Sequence, residues 1–206
     1  DLIKGATQDY WDPPVSASVE TTDEQMWDNV TYFLKAVVPV AEQAGVRMAL
    51  HPDDPPISPI AGVARIFRSH AALQRLIDIV PSDSNGLNFC QGTVTEMLDD
   101  PGEEIADVIR WFGTREKIFN VHFRNIRGHK LDFMESFPDE GSIDFVKTIK
   151  VYQEVGYKYM LMPDHVPHIS GDDPQGTGFA FCYGYITALL QTIGEPRNQA
   201  WVTKGP

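Results

Sequence analysis

Cysteine is scarce: the 206 residues contain two, Cys90 and Cys182, too few to build a disulfide framework. No apolar run reaches the roughly 20 residues that a membrane-spanning helix needs, and no charged-then-apolar leader opens the chain. Positive charge is also short. Seventeen Lys and Arg face 29 Asp and Glu, a formal charge of -12, which argues against nucleic acid or an anionic membrane surface as the main partner. An anionic small molecule fits this balance only through a local cationic pocket. These shortages favour a reducing, cytoplasmic setting. The opening residues DLIKGATQDYW lack a starting Met and read like the middle of a longer chain.

With 42% hydrophobic residues, the chain can bury one sizeable core, and a single domain over residues 1–206 is the simpler reading. Helix and short apolar strand then alternate. Residues 22–43 read as a helix, with Thr22 and Gln25 at capping-box spacing and Gly45 as a stop. VRMAL follows as a strand running up to His51, then the Pro- and Asp-rich loop HPDDPPISPI, then a helix over 62–79. GLNFC is a second strand, ending at Cys90. A helix over 103–112 leads into IFNVHFR and one over 143–155 into YKYMLMP, strands that bring in His122 and Asp164. A last helix is expected over 179–193, and the tail RNQAWVTKGP has no usable periodicity. Such alternation implies βαβ units and a parallel sheet. Four units make up half of a (β/α)₈ TIM barrel, a fold of about 250 residues. The expected architecture is therefore α/β, a barrel represented in part, with an open doubly wound sheet as the alternative.

His51, Cys90, His122 and Asp164 stand 39, 32 and 42 residues apart, about one βα unit each time. Each falls where a parallel strand ends, the end that carries sites in such folds. Two imidazoles, a thiolate and a carboxylate each offer a lone pair to a divalent metal. Taken singly, the His is a strand-end residue, Cys90 a small buried hydrophobe and Asp164 a helix cap. Recurrence at the same point of four successive units favours a shared metal site.

The flanks add detail. Period-two alternation puts Arg124 of HFRN on the same side of its strand as His122, where a guanidinium could grip a substrate carboxylate in bidentate fashion; the competing reading is a surface ion pair. His165, next to Asp164, suggests a general acid or base, against the alternative of merely orienting a neighbour. His129 and His168 are weaker versions of that idea, and His70, inside a helical stretch, reads as structural. Asp53 and Asp54 read as solvated loop charges. GDDPQGTGF, which is not a phosphate loop, reads as a mobile cover over the site. Tyr183 and Tyr185 follow it, and either phenol can donate a proton.

HPDDPP, the Cys of NFCQGT, VHFRNIRG, DEGSID and MPDHVP, in this order over residues 41–190, together resemble the mannonate dehydratase family of hexuronate breakdown. The resemblance implies a (β/α)₈ barrel of the xylose isomerase group and a Mn²⁺ or Fe²⁺ ion on His51, Cys90, His122 and Asp164. It implies loss of water from D-mannonate to give 2-dehydro-3-deoxy-D-gluconate, with His165 catalytic, and Arg124 and Asn125 of HFRN meeting the substrate. The family also uses a tyrosine after the Asp-His pair. GTGFAFCYGY departs from the usual pattern there, and Tyr185 is taken as the candidate. The expected partners are the sugar acid and further copies of the chain. A sugar isomerase or epimerase of the same barrel type is the nearest rival, and a non-catalytic module with a structural zinc is the rival from another class.

Overall fold

The computed structural model describes residues 20–129 and 132–194; DLIKGATQDYW and RNQAWVTKGP lie outside them. Helix α1 (Asp23–Ala44) starts where the capping-box spacing places it. Thr22 Oγ1 accepts from the Gln25 amide at 3.2 Å, and Gln25 Oε1 accepts from the Thr22 amide at 2.9 Å, so two otherwise orphaned donors are paired. Gly45 ends the helix at φ 66°, a left-handed conformation that costs a residue without Cβ little. Trp27, Leu34, Val38 and Ala41 form its buried stripe at helical spacing.

Strand β1 (Met48–Leu50) follows, then a long loop, then α2 (His70–Ile79). The helix expected over 62–79 therefore loses its first eight residues. Their backbone is committed elsewhere: Val63 exchanges hydrogen bonds with Ile60, the Thr21 amide donates to Gly62 and the Ala64 amide to Thr21. Ser69 then caps α2 by accepting from the Ala72 amide at 3.1 Å.

Strand β2 (Asn85–Cys90) runs directly into a six-residue helix, α3 (Gln91–Glu96), every residue of which is buried. Helix α4 (Pro101–Gly113) carries Pro at its start, where a missing N–H costs nothing. Strand β3 (Ile118–His122) is followed by an antiparallel hairpin, β4 (Asn125–His129) and β5 (Asp132–Ser136). Helix α5 (Phe145–Glu154), capped by Asp144, leads to the two-residue strand β6 (Leu161–Met162). Helix α6 (Pro174–Thr192) closes the order.

Strands β1, β2, β3 and β6 form one parallel sheet in that order. Leu87 and Phe89 of β2 and Val121 of β3 pack against Val38 of α1, Leu73 of α2, Phe112 of α4 and Ile149 of α5 in a single main core. Alternation sends Asn88, Asn120 and His122 to the opposite face. The sheet ends at β1 on one side and β6 on the other, so the described residues form an open parallel α/β sheet rather than a closed barrel.

Candidate metal centre

Parallel pairing sets neighbouring strands about 4.8 Å apart, so residues at equivalent strand ends become neighbours. Cys90 pairs with His122, and His122 with Met162, two residues before Asp164; His51 directly follows β1. One ligand atom from each of His51, Cys90, His122 and Asp164 lies within 4.8 Å of all the others. The four side chains singled out by spacing alone thus share one small volume.

Their protons and lone pairs suit a cation. His51 Nδ1 lies 2.7 Å from the Pro52 carbonyl; donation there leaves Nε2 to offer to the cluster. His122 Nδ1 is buried and 3.2 Å from Asp164 Oδ2, yet too poorly aligned for a hydrogen bond. A divalent cation arriving there would displace the Nδ1 proton and take its lone pair. Burial pushes the Cys90 thiol up, but His122, His51, Arg124 and Thr93 outweigh it and bring it down to about 6. Cys90 is therefore a thiolate at neutral pH. Burial lowers His122, but Asp164 and the Cys90 thiolate raise it to about 9, and His122 in turn holds Asp164 below the usual carboxylate range. One sulfur, two imidazoles and a carboxylate at this spacing fit a divalent transition ion.

Arg124 does not stand free beside this cluster. It is 3% exposed and donates to Glu135 through both Nε and Nη2. Its Nη1 donates to Asp54 Oδ2 at 2.7 Å and to Thr93 Oγ1 at 3.3 Å, while Nη2 lies 3.1 Å from Glu96 Oε1. The surface ion pair considered for Arg124 is ruled out by this burial: the guanidinium lies inside the fold among Glu135, Asp54 and Glu96. Asn125 is 2% exposed, and its amide donates to the Pro138 and Ile143 carbonyls and accepts from the Ile143 amide, tying the hairpin to the start of α5. Asp54 and Asp53, read as solvated, are half-buried, Asp53 accepting from the Phe67 amide and pairing with Arg65.

His165 is in place. Its Nδ1 lies 3.0 Å from Glu135 Oε1 and its Nε2 3.5 Å from Asp164 Oδ2. Glu135 raises the imidazole above its ordinary value against the opposing effect of burial. An open pocket of about 590 Å³ adjoins it, lined among others by Asp164, His165, His168, Gln175 and Phe179. Tyr185 is not in that lining; its ring packs 6.3 Å from Phe181 and 6.5 Å from Phe145. Tyr183 is exposed, and the aromatic that α6 turns into the pocket is Phe179. GDDPQGTGF, expected as a mobile cover, contains the start of α6, where Asp173 accepts from the Gly176 amide at 3.0 Å. His129 is exposed on the hairpin; His70 bonds Gln74 and packs edge-on against Trp111 and Phe112, a structural role as read.

Glu135 was invisible in the sequence because the hairpin that carries it was unread. Thr93, which donates to Cys90 Sγ at 3.1 Å and to Asp54 at 3.0 Å, lay inside the quoted NFCQGT without a signal of its own.

A parallel α/β sheet with a sulfur-, nitrogen- and oxygen-bearing quartet at its strand ends, beside an open pocket, defines an α/β protein with a metal-competent site. The family model of D-mannonate dehydratase (UxuA) matches residues 15–195. The mannonate dehydratase of Endomicrobium trichonymphae is 39% identical over 191 residues, covering 87% of this chain and 51% of that protein. Mannonate dehydratase 1 of Halalkalibacterium halodurans is 40% identical over 177 residues, 81% of this chain and 47% of that one. The crystal structure of mannonate dehydratase from Streptococcus suis serotype 2 superposes with a TM-score of 0.72 at 28% identity, over 95% of this chain and 56% of that chain. The chain belongs to the mannonate dehydratase family, and it spans about half the length of the curated relatives it matches.

Proposed function

We propose that the chain carries the metal site of a mannonate dehydratase, a hydro-lyase that removes water from D-mannonate to give 2-dehydro-3-deoxy-D-gluconate. The observation that carries this reading is the convergence of four ligand atoms within 4.8 Å beside a pocket that His165 lines. His51, Cys90, His122 and Asp164 would hold Mn²⁺ or Fe²⁺, which when bound supplies a Lewis acid that lowers the energy of negative charge on substrate oxygens.

The reaction takes a proton from the carbon beside the carboxylate and releases the hydroxyl of the next carbon as water, after that hydroxyl gains a proton. The enol left behind tautomerises to the 2-keto acid; no electron donor or acceptor is needed. His165 would move one of these protons. Glu135 engages its Nδ1, which leaves Nε2 as the atom for proton transfer on the side of Asp164. Arg124 supports this arrangement from beneath by holding Glu135. Under the same reading the sheet is part of a (β/α)₈ barrel, consistent with the unpaired outer edges of β1 and β6 among the described residues.

Incubation with D-mannonate and Mn²⁺ tests the reading. Formation of the 2-keto-3-deoxy acid is expected, and His165→Asn should retain metal while losing at least about 10²-fold in turnover. Interconversion of a neutral aldose and ketose without any keto-deoxy acid would overturn it in favour of an isomerase. A tightly held zinc with no turnover of either substrate would overturn it in favour of a structural site.

A further inference from the structure

The ligand quartet has a polar layer one step down the same face of the sheet. Asn88 pairs with Asn120 across β2 and β3, just as Cys90 pairs with His122, and period two stacks Asn88 under Cys90 and Asn120 under His122. Asn120 Nδ2 lies 2.9 Å from Asn88 Oδ1, and Asn88 Nδ2 lies 3.1 Å from His122 Nε2. The two amides thus form a short chain that ends on Nε2 of His122, the ring nitrogen other than the one 3.2 Å from Asp164 Oδ2.

An imidazole that gives the Nδ1 lone pair to a cation must carry its proton on Nε2. That N–H then needs an acceptor, and a ligating histidine held by such a partner binds more firmly because ring angle and tautomer are set in advance. Asn88 is the partner in reach. An amide presents its oxygen in place of its nitrogen after a half-turn that leaves its outline unchanged. Asn88 so turned aims Nδ2 at Asn120, which accepts through its own oxygen after the same half-turn. We infer that Asn88, backed by Asn120, is a positioning residue for the metal site: it accepts the Nε2–H of His122 and thereby holds Nδ1 toward the ion. This rests on the metal reading proposed above, and it adds to the site two residues that touch neither ion nor substrate.

Leucine at position 88 is close in size and accepts nothing; aspartate accepts but never donates. Mn²⁺ titration of the metal-free chain by calorimetry, with thermal melting alongside, separates the possibilities. Asn88→Leu should weaken Mn²⁺ binding about 10- to 100-fold with little change in melting temperature, whereas Asn88→Asp should bind at least as tightly as the native chain. In the diamagnetic zinc-loaded protein, ¹⁵N shifts of His122 should report the Nε2–H form. Equal affinity in the native chain and Asn88→Leu, equal weakening by Leu and Asp, or an Nδ1–H ring in the loaded protein would each overturn the inference while leaving the metal reading intact. A native chain that takes up no Mn²⁺ would overturn the metal reading and the inference with it.

Discussion

Arg124→Met separates a substrate clamp from a structural tie. The native guanidinium, 3% exposed, is bidentate to Glu135, 2.7 Å from Asp54 and 3.1 Å from Glu96. Methionine fills much of the same space and removes the guanidinium from Asp54 and Glu135, whose side chains are 20% and 10% exposed, leaving Glu135 with the His165 imidazole alone. Removing one partner of a buried pair costs about 3–5 kcal/mol, against about 0–1 kcal/mol for an exposed pair. In a chain of this length 1 kcal/mol corresponds to about 2–4 °C of melting temperature, so the variant should melt about 6–20 °C lower. Circular dichroism of the metal-free protein measures this without reference to activity. A melting temperature within about 2 °C of the native value, with KM for the sugar acid raised and kcat unchanged, would show that Arg124 serves the substrate and would refute its assignment as a tie.

Glu135→Ala should lower kcat for D-mannonate by about 10²-fold, the effect of loosening a proton-transfer group by about an ångström, with KM and metal content nearly unchanged; steady-state kinetics beside metal analysis checks it. Cys90→Ser replaces a thiolate by a neutral hydroxyl and should weaken Mn²⁺ binding by at least about tenfold, or 1.4 kcal/mol, as read by calorimetry. Burial and Asp54 push Glu96 up to about 10, although Arg124 opposes them, so its carboxyl stays protonated in the folded chain and ionises on unfolding above the ordinary carboxylate range. Native stability is therefore eroded as pH rises through that window. Glu96→Gln should accordingly gain stability between pH 5 and 8, with a slope of up to about 1.4 kcal/mol per pH unit, and gain none at pH 4. A gain independent of pH in denaturant titrations would contradict a protonated Glu96.

Periodic, local information was legible in the chain itself. Capping chemistry at Thr22, Gln25 and Gly45 located α1 to within a residue at each end, and the recurrence of strand ends at His51, Cys90, His122 and Asp164 singled out the quartet that the sheet brings together. Both signals depend on neighbours along the chain or on a spacing repeated by every βα unit, so linear order preserves them. What failed depends on distant partners. Residues 62–64 pair with Thr21 and Ile60 and so keep the stretch before Ser69 out of α2, and α6 begins at Pro174, five residues before the expected 179, under the cap of Asp173. The contacts of Arg124, Asn125 and Tyr185 are likewise tertiary and have no signal along the chain. A guanidinium has one chemistry whether it faces substrate or its own fold, and only the arrival of Glu135 from a hairpin and Asp54 from a loop 70 residues away in sequence decides between the two. Residue types and spacing determined which atoms could bind a cation; the packing of the folded chain determined which charges were already matched and which face the pocket.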